Sequence, residues 1–231
     1  MSKTKTTKRL SWDEIVDKTS KIVFRLYSGK SAGTGFLVGL ATDLKTNDKY
    51  ATIATAWHVL SGLPSTKDDL KIVTDKKVVV ANSESDFVGF YPLGESKYDT
   101  GLILLRFRNN IFEHTDLAPL FPADMMLAKG APAGWLGYPG ITEPELCFFQ
   151  GHVSGYLHDP PTYLIDGVAI NGVSGGPVFD ELGNIFGIVS AYIPNIINAT
   201  LTLPGLMSVV PINAIRYWME DRLGARVIRR S

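Results

Sequence analysis

The stretch Asn171-Gly172-Val173-Ser174-Gly175-Gly176-Pro177 decides how this chain is interpreted, because it sets a serine among glycines between two apolar, strand-like runs. A serine hydroxyl is a poor nucleophile at neutral pH unless a base takes its proton and donors stabilise the resulting oxyanion. Glycines on both sides permit a sharp turn and leave backbone amides free to face a substrate carbonyl. The stretch therefore predicts a nucleophile at Ser174.

The same residues also fit the G-x-S-x-G pattern of the nucleophile elbow in α/β-hydrolases. That fold needs its catalytic histidine after the serine. All four histidines of this chain precede Ser174, namely His58, His114, His152 and His158. The order of the residues excludes the elbow.

A base upstream of the serine requires the order His, Asp, Ser, and the chain supplies it. His58 ends an apolar, β-prone run, and Asp99 begins another. In this arrangement Ser174 attacks, His58 carries the proton, and Asp99 holds the imidazole tautomer. Asp99 is favoured because the following strand would bury its carboxylate beside the imidazole. Asp86, Asp116 and Asp124 also lie between His58 and Ser174 and are weighed against Asp99.

With these residues in place, the chain resembles the chymotrypsin-like (trypsin-like) serine peptidases, and most closely the disulfide-free HtrA/Deg-type protease domain. Five blocks in family order, spanning roughly residues 22 to 222, carry the resemblance. They are Ser31–Val38, Thr55–Val59, Asp99–Leu105, Gly137–Gly140 and Gly183–Ser190. Only residues 224–231 follow the last helical pattern, so we expect the family's peptide-binding PDZ module to be absent.

The many short apolar runs separated by turn residues predict an all-β chain of closed antiparallel barrels. Together with the resemblance, they predict two six-stranded β-barrels with the active site in the cleft between them. Ser11 and Glu14 form a capping-box pattern that predicts a short helix to about Ser20. An amphipathic C-terminal helix is predicted from Ile212, Ile215, Trp218, Met219 and Leu223. The expected boundaries are 1–21 (arm and helix), 22–110 (first barrel), 111–130 (connection), 131–210 (second barrel) and 211–231 (C-terminal helix and tail).

The resemblance implies a serine endopeptidase that cleaves protein or peptide substrates through an acyl-enzyme. The amides of Gly172 and Ser174 would form the oxyanion hole, and Ser190, Ala191 and Tyr192 would pair with the substrate backbone. The remaining residues expected to contact substrate are Val168, Ala169 and Asn171. Two alternatives stay open: a non-catalytic relative that binds peptides in the same cleft, and a small-ester hydrolase with the same triad.

In trypsin-like relatives the residue six positions before the nucleophile lies at the base of the S1 pocket, and here it is Val168. A valine cannot neutralise a buried lysine or arginine, so we expect small or medium apolar residues before the cut. Tyr192 would narrow the pocket entrance, and the side chain of Asp166 remains an alternative base of the pocket.

Two positions depart from the family pattern. Val173 replaces the aspartate that pairs with a newly cut N-terminal amine in digestive relatives, so activation would come from loop rearrangement, a partner or self-assembly. Gly101 replaces the usual alanine after the aspartate, which we expect to be tolerated, and Trp57 should point into the barrel.

Composition limits the other functions. Lys+Arg and Asp+Glu both number 23, so no global charge favours nucleic acid or a membrane surface. No apolar stretch has membrane or signal-peptide character, and we expect a cytoplasmic protein. Cys147 is the single cysteine, which excludes an intrachain disulfide and predicts a buried strand thiol. The histidines lack metal-ligand spacing, and neither a metal nor a cofactor is expected.

Overall fold

The structure is a computed structural model of the 231-residue chain. It describes residues 10–28, 31–43, 45–61, 70–74, 78–80, 87–92, 98–107, 112, 115–141, 145–198, 201–213 and 215–217. Strands predominate and fall into two antiparallel units, one in each half of the chain.

The first unit is a seven-stranded sheet in the order β5-β4-β1-β2-β3-β7-β6. Its long central strands carry alternating or continuous apolar residues, and the apolar side chains that face the interior are fully buried. The strands are β1 (Val23–Ser28), β2 (Ser31–Thr42), β3 (Lys49–Thr55), β4 (Lys71–Val73), β5 (Val78–Val80), β6 (Phe87–Pro92) and β7 (Gly101–Phe107).

The second unit is a closed barrel of six strands in the order β10-β13-β12-β11-β8-β9. Its strands are β8 (Pro132–Gly137), β9 (Cys147–His158), β10 (Pro161–Ile165), β11 (Pro177–Phe179), β12 (Ile185–Asn198) and β13 (Leu201–Pro211). The predicted all-β class and the six-stranded second barrel are confirmed. The first unit is a seven-stranded sheet whose described strands do not close into a ring, rather than the predicted six-stranded barrel, and β6 is the additional strand, paired with β7 at the edge.

The predicted N-terminal helix is present as α1 (Trp12–Thr19), followed by a 3₁₀ turn, Ser20–Ile22. The Ser11 hydroxyl accepts a hydrogen bond from the Glu14 amide, and the Glu14 carboxylate accepts one from the Ser11 amide. These reciprocal bonds satisfy amides that a helix start leaves without partners. A second short helix, α2 (Trp57–Ser61), follows β3 directly.

Only the start of the predicted C-terminal helix falls within the described residues. Residues 213 and 215–217 are helical, and Ile212 and Ile215 are buried, as the predicted apolar stripe requires. Trp218, Met219 and Leu223 lie outside the described residues. None of the helices in the described ranges is both long enough and apolar enough to cross a bilayer.

A single hydrophobic cluster joins the two units. It contains Phe24, Phe36 and Ile53 of the first sheet together with Leu136 and Ile188 of the second barrel. A further cluster around Trp135 fills the second barrel. Because packed interiors resist deformation, this shared core fixes how the ends of the two units face each other.

Candidate active site

His58 is positioned by the end of β3. That strand is buried to Thr55, and the chain turns into α2 directly after Ala56, which places His58 in the first helical turn. Its side chain is about half exposed, at 49%. A histidine that is fixed at its backbone and open at its ring can accept a proton from a group in the adjacent cleft.

Asp99 lies beside His58 because β7 pairs with β3. Thr55 is opposite Gly101 in this pairing, so the residues just before β7 lie next to α2. The His58 amide donates to Asp99 Oδ1 at 2.8 Å, and His58 Nδ1 lies 2.6 Å from Asp99 Oδ2. An ionised carboxylate at this position fixes both the ring orientation and the proton on Nδ1.

Ser190 provides a third hydrogen bond to the same carboxylate. Its hydroxyl donates to Asp99 Oδ2 at 2.6 Å, and the residue is buried in β12, directly before the exposed Ala191. Burial raises the pKa of Asp99, but hydrogen bonds from the His58 ring, Ser190 and the His58 amide outweigh that effect. The pKa of Asp99 therefore lies below its ordinary value, and the carboxylate is ionised at neutral pH.

Ser174 lies in the loop between β10 and β11, at the side of the second barrel that faces the first sheet. The Thr34 amide of β2 donates to the Ser174 carbonyl at 2.8 Å. Gly175 has a φ of +88°, and a Cβ on it would collide with Thr34 O and Thr55 Oγ1. Glycine at 175 therefore permits the serine loop to approach the strand that leads into His58.

Five successive carbonyls of the serine loop each accept a hydrogen bond. In chain order of the accepting carbonyl, the bonds are Val173 N to Ile170 O (3.0 Å), Gly140 N to Asn171 O (2.6 Å), Thr34 Oγ1 to Gly172 O (2.7 Å), Gly176 N to Val173 O (3.0 Å) and Thr34 N to Ser174 O (2.8 Å). Among the described residues, the amides of Gly172 and Ser174 have no protein acceptor. The loop thus directs its carbonyls into the protein and leaves two nearby amides free to bind an oxyanion.

The structure brings His58, Asp99 and Ser190 into one hydrogen-bonded cluster and places Ser174 on the facing loop. In the part of the chain described, the Ser174 hydroxyl makes no hydrogen bond to His58. Hydrogen bonds between catalytic groups are often long in the absence of substrate and tighten when it binds. Asp116 and Asp124, the two competing aspartates in the described ranges, are exposed and contact neither residue; Asp86 lies outside those ranges.

The predicted substrate residues before Ser174 line an open segment. Val168 is 46% exposed, Asn171 is exposed, and Ala169 is half-buried. Asp166, the alternative base of the pocket, instead accepts a hydrogen bond from the His152 amide, and its Oδ2 lies 3.6 Å from His152 Nδ1. Its carboxylate is thereby held against β9.

Strand β12 has two edges. One edge pairs with β13 beyond Val189, whereas the pairing of the other edge with β11 reaches only to the Pro177–Ile188 pair. The Ser208 hydroxyl bonds both the amide and the carbonyl of Ala191, so these groups face β13. Backbone polar groups alternate between the edges of a regular strand, so those of Tyr192, the next residue, face the opposite edge, whereas the strand is irregular between Val189 and Ala191. No strand in the described ranges occupies that edge.

Cys147 is the first residue of β9, so its predicted place in a strand is confirmed. Its predicted burial is only partial, because the residue is half-buried. Burial, followed by the nearby Glu145 carboxylate, raises the pKa of the thiol, which disfavours a reactive thiolate. Within the described residues, no group of three or more His, Cys, Asp or Glu side chains could hold a metal ion.

Comparison with known proteins identifies the family. The trypsin-like peptidase domain matches residues 33–188, more than half of the chain. The chain therefore belongs to the trypsin-like peptidases, which are serine proteases. No curated protein matches the sequence significantly.

Solved structures share the fold at low sequence identity. Rv3671c from M. tuberculosis, in an inactive form, is 17% identical with a TM-score of 0.60, and the match covers 93% of both chains. The HtrA-type protease AlgW with a tripeptide is 18% identical with a TM-score of 0.65, covering 93% of this chain and 65% of that one. The serine endoprotease from Yersinia pestis is 18% identical with a TM-score of 0.64, covering 92% and 66%. The predicted chymotrypsin-like fold with HtrA-type neighbours is confirmed.

Proposed function

We propose that this chain is a serine endopeptidase that forms an acyl-enzyme on Ser174, with His58 as general base and Asp99 as its orienting carboxylate. The Ser174 Oγ attacks the scissile carbonyl, and its proton passes to His58 Nε2. His58 then returns the proton to the leaving amine as the peptide C–N bond breaks. A water molecule, deprotonated by the same imidazole, hydrolyses the ester and releases Ser174.

The arrangement around Asp99 supports the assignment of the acid. Its two oxygens accept from the amide and the ring of His58, so Nδ1 carries a proton and Nε2 is left as the basic nitrogen. Since the pKa of Asp99 is lowered, a negative charge also stabilises the imidazolium that forms during attack.

The observation that carries the proposal is the orientation of the serine loop. With the carbonyls at 170–174 all accepting hydrogen bonds, the amides of Gly172 and Ser174 have no protein acceptor in the described residues. Two such donors, held before the reaction begins, stabilise the negative charge that develops on the carbonyl oxygen. A non-catalytic peptide-binding domain would have no need for this orientation.

The free edge of β12 supports a peptide as the substrate. The backbone groups of Tyr192 face an edge that no described strand occupies, so an extended substrate can add there by strand pairing. Ser190 links this strand to the catalytic groups, since its side chain bonds Asp99 and it lies two residues before Tyr192. A small ester would make no use of the edge.

A serine-directed fluorophosphonate probe tests the proposal. Wild-type protein should be labelled and should cleave an unfolded protein substrate, while Ser174→Ala should lose both by on the order of 10⁴-fold or more. Ser154→Ala is the matched control, because Ser154 is an exposed serine in β9 of the same barrel. It should behave as wild type, and both variants should keep the wild-type circular dichroism spectrum.

The alternatives give different results. Labelling at Ser174 with hydrolysis of p-nitrophenyl acetate but no cleavage of proteins or peptides would identify an esterase. Peptide binding without labelling would identify a non-catalytic member of the fold. Unchanged proteolysis by Ser174→Ala would overturn the assignment of the nucleophile.

A further inference from the structure

Thr34 in β2 has no exposed surface and makes four hydrogen bonds. Its hydroxyl donates to the Gly172 carbonyl at 2.7 Å and accepts from the Tyr138 amide at 3.0 Å. Its amide donates to the Ser174 carbonyl at 2.8 Å, and its own carbonyl accepts from the Thr55 hydroxyl at 2.6 Å. One first-sheet residue thus bonds the serine loop twice.

The direction of the hydroxyl proton is determined by its neighbours. A backbone amide can only donate, so Tyr138 N–H uses a lone pair of Thr34 Oγ1. A carbonyl can only accept, so the Thr34 hydroxyl proton must point at Gly172 O. The bond to Gly172 is therefore directed, and it is part-buried, with a donor residue that has no exposed surface.

This bond fixes one of the two peptide planes that meet at Gly172. The Gly140 amide holds the Asn171 carbonyl at 2.6 Å, and a trans peptide then turns the Gly172 amide to the opposite side. Thr34 holds the following plane through the Gly172 carbonyl. Gly172 has a φ of +96° and carries no Cβ, so without Thr34 its backbone has wide rotational freedom.

We propose that Thr34 is a positioning residue that orients the Gly172 and Ser174 amides for the oxyanion; this inference rests on the proposed function above. Thr34 touches neither the substrate nor the reacting atoms. It holds two carbonyls of the serine loop. The Gly172 carbonyl lies between the two donor amides along the chain, and the Ser174 carbonyl follows the second of them. The first sheet thereby contributes to the oxyanion site, in addition to His58 and Asp99.

The test compares fluorophosphonate labelling kinetics of Thr34→Val, Thr34→Ser and Thr52→Val. Thr34→Val keeps the shape but removes the hydroxyl, and the saturating labelling rate should fall about 10- to 100-fold. That decrease is no larger than the roughly 10²–10³-fold decrease in turnover that follows when an oxyanion donor is removed outright. Thr34→Ser keeps the hydroxyl and should recover the rate to within about 3-fold of wild type, in line with the modest effect of one methyl group.

Thr52→Val is the matched control, because Thr52 is also buried, lies in the adjacent strand β3 and does not contact the serine loop. It should label at the wild-type rate even if its melting temperature falls. All rates are measured well below each variant's melting temperature. Should Thr34→Val not fold, Thr34→Cys replaces it, since a thiol is a much weaker donor than a hydroxyl.

Two further readouts separate positioning from general damage. The probe concentration for half-maximal rate should stay unchanged, because ground-state binding does not use the oxyanion amides. The pH midpoint of labelling should also stay unchanged, because the His58–Asp99 pair is intact. If wild type is labelled at Ser174 and Thr34→Val is labelled at the wild-type rate, this inference is overturned and the proposed function stands. If wild type is not labelled at all, the proposed function is overturned.

Discussion

At the scale of single residues, the Asp99 carboxylate accounts for most of the site's organisation. It accepts three hydrogen bonds, two from His58 and one from Ser190. Because these bonds keep its pKa below the ordinary value of 3.8, Asp99 remains ionised throughout the range in which imidazoles titrate. A pH profile of labelling between about pH 5 and 8 should therefore show no inflection from the Asp99 carboxylate, because its charge does not change in that range.

The assignment of Asp99 predicts the effect of removing its charge. Asp99→Asn keeps the size of the side chain but favours the wrong imidazole tautomer, so turnover should fall by roughly 10⁴-fold with little change in KM. Steady-state cleavage of a fluorogenic peptide measures this. Asp116→Asn is the control, since Asp116 is exposed and, in the described part of the chain, makes no hydrogen bond to His58. If Asp116→Asn lost activity while Asp99→Asn kept it, the assignment of Asp99 as the carboxylate that orients His58 would be wrong.

The sequence was sufficient to place His58, Asp99 and Ser174 in order, because each lies at the end or start of a recognisable apolar run or glycine turn. It did not reveal the bond from Ser190 to Asp99, which joins residues 91 positions apart. Thr34 lay inside a recognised block, but its bond to Gly172 spans 138 positions and depends on how the two units pack. Such contacts leave no local pattern.

Gly101 is explained by its surroundings. A Cβ at this position would lie 2.6 Å from Leu60 Cδ1 and 3.2 Å from Trp57 Cε3. Trp57 is half-buried and packs against the shared core, as its predicted inward orientation requires. The bulky residue before His58 and the missing side chain after Asp99 therefore compensate each other.

At the scale of elements, the turn between β11 and β12 shows how a short segment fixes the strand that carries Ser190. Asp180 is buried, and its Oδ1 accepts from the amides of Leu182 and Asn184 at 2.9 and 2.8 Å. Its Oδ2 accepts from the Asn184 side chain at 2.9 Å. An aspartate that binds amides two and four residues ahead closes the turn more firmly than backbone bonds alone.

Removing that carboxylate should destabilise the fold. Asp180→Ala removes the acceptor of two amides, and hydrogen bonds to a charged acceptor contribute about 1.5–3 kcal/mol each. Because both bonds are part-buried and water can replace the carboxylate, we expect a smaller loss, of about 2–4 kcal/mol. Urea unfolding monitored by tryptophan fluorescence measures it. Asp124→Ala, an exposed aspartate, should change stability by less than about 0.5 kcal/mol. Equal stabilities of the two variants would contradict the role of the turn.

Local elements were predicted more accurately than sheet composition. The capping box of α1 involves residues three positions apart, so Ser11 and Glu14 were enough to predict it. The strand of the first sheet that was not predicted is β6 (Phe87–Pro92), because Gly89 interrupts its apolar run, Pro92 ends it, and its pairing with β7 is irregular. A strand's neighbours are set by topology, which a single segment does not encode.

At the scale of the whole molecule, the proposed active site belongs to neither unit alone. His58 and Asp99 come from the first sheet, Ser174 and Ser190 come from the second barrel, and one hydrophobic cluster joins the two. Gly175 permits their contact, since any side chain there would collide with the strand before His58. The position of the cleft is therefore fixed by packing.

The same packing bears on specificity through Asp166. This aspartate was the one acidic alternative for the base of the S1 pocket, and its carboxylate is held by His152 of β9 instead. Val168 remains at the open segment before Ser174 and brings no charge. An unpaired lysine or arginine bound against it would lose hydration without gaining a partner.

We therefore expect cleavage after small or medium apolar residues such as valine, alanine or leucine. Profiling with a peptide library, read by mass spectrometry of the products, measures the preference. Asp166→Asn should leave the profile unchanged, whereas Val168→Asp should admit lysine or arginine, because a carboxylate there can pair with their charge. The contradicting result is a wild-type preference for lysine or arginine that Asp166→Asn abolishes, since it would place the Asp166 carboxylate in the pocket when substrate is bound.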